Sequence, residues 1–185
     1  MFQALKQFDE KVFLGINGHH NATLDGIMPY LTSFWLWIPL FIWLIYVLFK
    51  LYGKKAFYIM LLGIVMLTLS DQGCTLIKNS VKRYRPTHNL NLSEQVHTVD
   101  GYKGGQYGFI SSHAANSFAL AVFIFLLLKP HKHKILIVCF FTWALIYCYS
   151  RIYLGVHYPT DIIGGAILGS TLAYLFYKLC NKVLA

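Results

Sequence analysis

Polar and apolar positions change rhythm twice along this chain. Over residues 1 to about 18, Phe2, Leu5, Phe8, Val12, Phe13 and Ile16 recur at three- and four-residue intervals, the period of an amphipathic helix. No continuous apolar run goes with them, so the pattern predicts a helix lying in a membrane interface rather than crossing it. Gly18-His19-His20-Asn21 breaks the period, and two histidines in a turn read as solvated side chains rather than metal ligands. A second short helix is predicted from about Ala22 to Thr32.

Beyond residue 33 the polar positions thin out. Apolar runs near the roughly 20 residues that a bilayer core requires alternate with short polar or basic turns. The spans are expected from about Leu31 to Phe49, Ala56 to Thr75 (its helix continuing to about Tyr84), Ser112 to Leu128, Ile135 to about Tyr153 and Pro159 to about Leu179. The expected fold is an all-α integral membrane bundle of five spans, or six if Ala22 to Thr32 dips into the bilayer. It forms a single domain over 1–185, with N-terminal interfacial helices over 1–33 and a transmembrane core over 34–185.

Composition agrees with that pattern. The 185 residues are 57% hydrophobic and 12% charged, about half the charged share of a soluble domain at roughly 25%. The net charge of +9 is carried beside apolar helices rather than on a continuous soluble face, which excludes nucleic acid as the natural partner and favours anionic lipids and an anionic substrate. Cys74, Cys139, Cys148 and Cys180 lie mostly within apolar segments without ligand spacing and read as packing residues. The mixed N-terminus shows no cleavable signal peptide.

Five spans sort the loops onto two faces. Lys50, Lys54, Lys55, Lys129, Lys132, Lys134, Lys178 and Lys182 share one face, with none of the seven acidic residues. Excess lysine in short loops marks the cytoplasmic side. The other face, expected to point outward, receives three polar clusters from distant parts of the chain.

The first cluster is Lys78 to Pro86. Lys78 and Arg85 are two helical turns apart and so share a side, and Pro86 ends the helix. In the second, Ser111 is placed to cap a helix, with Ser112 and His113 in its first turn, where free N–H groups suit a phosphate oxygen. The third runs from Ser150 to Asp161. Pro159 opens a helix and Asp161 falls in its first turn, from which it reaches back to one nitrogen of His157 and leaves the other free to attack. Read singly, these are a lipid-binding basic patch that also employs Lys82 and Arg83, an ordinary cap, and a structural pair. Together they offer cations, N–H donors, two histidines and a carboxylate to one anion, which is what phosphoryl transfer needs.

At these residues the chain resembles the type 2 phosphatidic acid phosphatases. Lys78, six residues, Arg85-Pro86 matches their first motif, and Ser150-Arg151, five residues, His157, three residues, Asp161 matches their third. Ile110-Ser111-Ser112-His113 is similar to their Pro-Ser-Gly-His motif, with Ile110 in place of Pro and Ser112 in place of Gly. The resemblance covers about residues 56 to 180. It implies that His157 attacks phosphorus and becomes phosphohistidine, that Asp161 orients it, and that His113 protonates the leaving oxygen. It also implies that Lys78, Arg85, Ser111, Ser112 and Arg151 bind the phosphoryl oxygens, with no metal and no cofactor. The compact chain looks like the bacterial members that recycle polyprenyl carriers in the inner membrane, with the site facing the periplasm or outside. Undecaprenyl diphosphate is the first expected substrate, phosphatidylglycerophosphate or phosphatidic acid the second, and a lipid A phosphate the third.

Other classes carry less. Vanadate-binding haloperoxidases share the motifs but are soluble. A non-catalytic lipid carrier, or a metal hydrolase using His113, His157 and Asp161, is distinguished by assay. His88, His97, Tyr102, Lys103 and Tyr107 are candidate headgroup contacts, Asp71 a candidate partner for a cation, and the glycines from Gly101 to Gly108 the mark of a moving loop. Gly164, Gly165 and Gly169 permit close helix packing.

Overall fold

The structure, a computed structural model, describes residues 2–184. Met1 and Ala185, the ends of the domain expected over 1–185, lie outside the described residues. Seven α-helices follow in order: α1 (Phe2–Asn17), α2 (Ala22–Leu31), α3 (Phe34–Tyr52), α4 (Ala56–Val81), α5 (Ser112–Leu128), α6 (Lys134–Tyr153) and α7 (Pro159–Leu184). Among the described residues there is no strand, only one isolated bridge between Tyr84 and Tyr107.

Among the described residues, four stretches are long and apolar enough to cross a membrane: Phe34–Val81, Ser112–His131, Lys134–Tyr153 and Pro159–Lys182. The first, 48 residues long, folds back at Gly53, whose φ of 52° is open to glycine and costly for other residues. The return brings Phe49 and Phe57 rings to 5.0 Å and sets Phe41, Leu44 and Leu48 of α3 in one cavity with Leu67, Gly63 and Ile59 of α4. With that hairpin counted as two, five helices among the described residues are long enough to cross. Phe57, Ile64, Ile135 and Ile167 are exposed on the outside of the bundle. In water that surface would cost about 25 cal/mol per Å², a penalty that lipid removes.

α5 is the central helix and packs on α4, α6 and α7. Ala114, Ala115, Ala119 and Ala121 keep its flanks thin. α7 answers with glycine: a Cβ on Gly165 would strike the Ser111 carbonyl oxygen, and one on Gly169 the Ala115 carbonyl oxygen. Close backbone approach of this kind substitutes for the hydrophobic drive that is missing in lipid. It also fixes the start of α7 against the start of α5.

One boundary and one placement differ from the sequence expectation. α4 ends at Val81, because Lys82 adopts a left-handed conformation (φ 52°) and caps the helix with its N–H on Lys78 O. Lys78 and Arg85 therefore do not share a helix face. Arg85 is extended and strapped to the returning loop through Arg85 N–H to Gln106 O (3.1 Å) and Gly108 N–H to Arg83 O (2.8 Å). α1 keeps its expected amphipathic form with Leu5 and Phe8 exposed, but its other face is buried over the polar end of the bundle through Asp9, Phe13 and Asn17.

Candidate active site

The C-terminal ends of α4 and α6 and the N-terminal ends of α5 and α7 lie together at one end of the bundle. This is the arrangement that five antiparallel crossings require. Lys78 and Arg85 arrive from the first pair of spans, Ser111, Ser112 and His113 from α5, Arg151 from α6, and His157 and Asp161 from the α6–α7 turn.

His157 is 1% exposed. Its Nδ1 lies 3.3 Å from Asp161 Oδ2, an oxygen that also accepts the Tyr158 N–H at 3.0 Å. A carboxylate accepts only, so Nδ1 carries the proton and Nε2 the lone pair. Nε2 is buried and has no hydrogen-bond partner among the described residues. Burial pushes the imidazole down to about 4; Asp161 opposes the shift, and Arg85 and Lys78 add to it. The ring is therefore neutral near pH 7, as a nucleophile must be.

The charges of Arg85 and Lys78 act on this ring. Lys78 Nζ donates to Ser112 Oγ at 2.7 Å. Ser111 caps α5 with its Oγ accepting from the Ala114 N–H at 3.4 Å, and its own N–H donates to Asp161 O at 3.0 Å. Arg85 Nε donates to Tyr107 O at 3.1 Å. Burial lowers the Arg85 guanidinium pKa, Arg151 adds to the shift, and Tyr102 and Asp161 oppose it. A guanidinium still stays charged. Arg151 is 4% exposed, stands 5.8 Å from the Tyr147 ring, and has a buried Nε without a partner among the described residues. His113 approaches the same Tyr147, ring centroids 5.4 Å apart. Positive charge gathered near a bare imidazole nitrogen suits an anion.

Two cavities meet these residues. One, about 330 Å³, is walled by Arg151, Leu154, Tyr102, Val99, Pro29 and Thr32. The other, about 360 Å³, runs from Ser112, His113 and Asn116 past Asp71 to Phe41, Leu67 and Leu120 among the spans. It is polar at the site and apolar away from it, the profile of a lipid with a charged head. Asp71 lines the same cavity as Ser112 and His113.

Loop residues divide. Tyr102 reaches the Arg151 cavity, whereas Tyr107 and Lys103 contribute backbone carbonyls to Arg85 and Thr87. His88 pairs with its neighbour Thr87, and His97 turns away to Asp25. The loop glycines differ in surroundings: a Cβ on Gly108 would lie 2.8 Å from Asp161 Oδ2 and one on Gly104 would strike Arg85 Nη1, whereas Gly101 and Gly105 have open space within 4 Å.

Sequence reasoning missed one part of the site. Arg83, read as a lipid-facing cation, donates through Nη1 to Asp161 Oδ1 at 2.9 Å and through Nη2 to Asp9 Oδ2 at 2.5 Å. Its guanidinium lies 4.0 Å from the centre of the Tyr158 ring. Asp9 in turn accepts the Thr160 N–H at 3.0 Å and the Thr160 hydroxyl at 2.5 Å. The available signal was a carboxylate at position 9, one turn before Phe13 and two before Asn17, on a stripe otherwise suited to burial.

Residues 53–184 match the PAP2 superfamily, and the chain belongs to it. It is an integral membrane lipid phosphatase of that type. The lipid A 4'-phosphatase of Bacteroides thetaiotaomicron is 36% identical over all of this chain and 82% of its own length. The undecaprenyl-diphosphatase BcrC of Bacillus subtilis is 29% identical over 92% of this chain and 83% of its own. Among solved structures, a transmembrane PAP2-type phosphatidylglycerolphosphate phosphatase from Bacillus subtilis superposes with a TM-score of 0.71 at 24% identity, covering 97% of this chain and 88% of that one.

Proposed function

We propose that this chain removes the phosphate of a lipid A-type phosphomonoester at the outer face of the cytoplasmic membrane, through a phosphohistidine on His157. One observation carries the mechanism: His157 Nε2 is bare and buried, and its other nitrogen is tied to Asp161. Nε2 attacks phosphorus in line with the ester oxygen, the P–O bond to the lipid breaks, and His113 gives its proton to the departing oxygen. Water then attacks the phosphohistidine, His113 takes the water's proton, and inorganic phosphate leaves. Lys78, Arg85, Arg151, the Ser111 hydroxyl and the Ser112 N–H hold the three equatorial oxygens throughout. Side-chain cations neutralise the charge, so the reaction runs without a metal.

The 36% identity to a lipid A 4'-phosphatase over all of this chain and 82% of that protein supports the substrate. Undecaprenyl diphosphate is the second reading, favoured by the 29% identity to a protein of that activity over 83% of its length. The lysine-rich turns at the opposite end support an outward-facing site.

The test is phosphate release by the purified protein from lipid A, undecaprenyl diphosphate, phosphatidylglycerophosphate and phosphatidic acid, each with and without chelator. Lipid A is expected to turn over fastest, at a rate unaffected by chelator. Release from undecaprenyl diphosphate alone would replace the first reading with the second.

A further inference from the structure

Beside the anion site, three metal-type side chains from three segments meet. His20 in the turn before α2, Asp25 in the first turn of α2, and His97 in the loop between α4 and α5 offer ligand atoms that all lie within 4.8 Å of one another. The His20 and His97 rings stack with centroids 3.7 Å apart and planes within 4°. His97 Nε2 is 2.8 Å from Asp25 Oδ1.

An ordinary surface ion pair accounts for only part of this. Exposed pairs contribute little and hold loosely, yet both members here are braced from behind. Asn17 accepts the His97 N–H at 2.8 Å and donates to His97 O at 3.0 Å. The Tyr153 hydroxyl donates to Asp25 Oδ1 at 2.6 Å. Orientation of ligands by a second layer of hydrogen bonds is the habit of metal sites. His20, stacked alongside and otherwise exposed, is the third donor. Two imidazoles and one carboxylate suit a zinc-class ion rather than calcium or magnesium, which take oxygen donors. Tetrahedral bonds of about 2.0–2.2 Å put donor atoms roughly 3.3 Å apart. The pair distance of 2.8 Å and the outer limit of 4.8 Å bracket that spacing, and a rotation of His20 on its exposed turn closes the difference.

We propose that His20, Asp25 and His97 bind one divalent transition ion of the zinc class, completed by water, which clips the α1–α2 turn to the loop over the Arg151 cavity. Both sides of the clip wall that cavity, through Pro29 of α2 and Thr32 at its end and through Val99 and Tyr102 just after His97. The ion takes no part in phosphoryl transfer, and the site does not depend on which lipid is cleaved.

The experiment uses the full chain in detergent, its purification tag removed, stripped with chelator and titrated with zinc. About one equivalent per chain is expected to bind. With zinc at roughly a hundredfold excess over Kd, Tm should rise by about 5 °C or more. Both effects should vanish in His20→Ala, whose stripped form should melt with stripped wild type because His20 is exposed. Both should persist in His157→Ala. Binding below about 0.2 equivalents in wild type, wild-type binding by His20→Ala, or loss of binding in His157→Ala would each overturn the site. Phosphate release by the stripped protein is read separately, so failure of the clip and failure of the phosphatase reading are distinguishable.

Discussion

A histidine that is 1% exposed and faces a single carboxylate has little choice about its proton. His157 is held neutral by its burial, down to about 4 against an ordinary value near 6.5. A titration of the labelled imidazole by NMR should therefore show a midpoint near 4, and a midpoint at 6 or above would contradict the geometry. The sign for stability follows. The unfolded chain binds this proton more readily, so the group's contribution is complete above about 6.5 and is lost as pH falls through about 4. His157→Ala should abolish turnover. Asp161→Asn loses the acceptor that fixes the tautomer, and kcat should fall by roughly 10²–10⁴-fold. At this scale the sequence was most informative. His157, Asp161 and Ser111 each had a spacing that demanded a turn, a cap or a first-turn position, and local geometry of that kind is set by near neighbours.

Elements bring in what spacing leaves out. The five spans were legible because lipid forces long apolar runs, and their alternation alone placed the clusters at one end. Arg85 reached the site by a different route from the one its spacing implied, since a left-handed Lys82 ended α4 early and the returning loop had to carry it. Arg83 and Asp9 were not legible, because 74 residues separate two side chains whose contact no local rule anticipates. Arg83 is a positioning residue: it holds Asp161 Oδ1 while Oδ2 holds His157. Arg83→Gln should lower kcat by roughly tenfold to a hundredfold with little change in KM, because the substrate-binding cations remain. Arg83→Lys should recover only part of it, as one ammonium does not reproduce the planar fork that grips two carboxylates. The α5–α7 seam gives a test of packing. Gly169→Val drives a side chain into the Ala115 backbone and should lower Tm by roughly 3–10 °C. Gly15→Ala, on α1 with nothing within 4 Å, should leave Tm unchanged or raise it slightly.

For the whole molecule the question is which end meets which compartment. The site end carries Arg83, Arg85, Arg151 and the loop cations among carboxylates, whereas the opposite end carries lysines with no acidic residue beside them. That asymmetry supports a site facing outward. Labelling of intact cells with a membrane-impermeant thiol reagent reads it directly. A cysteine replacing the exposed Lys103 should react at once, and one replacing the exposed Lys132 only after permeabilisation. The reverse pattern would turn the protein over in the membrane.

The contact between Asp9 and Arg83 has a consequence for how far such an enzyme can be trimmed. The stretch that carries the superfamily likeness begins at residue 53, so a version pared down to it would retain every motif side chain. It would still lack the carboxylate that steadies the arginine behind the nucleophile's partner, and it would lose the wall that Pro29 and Thr32 lend to the anion's approach. Such a fragment should insert and fold its central helices, yet work poorly. The practical boundary of the catalyst therefore lies in the first two turns of its opening helix, well before the stretch that matches the superfamily.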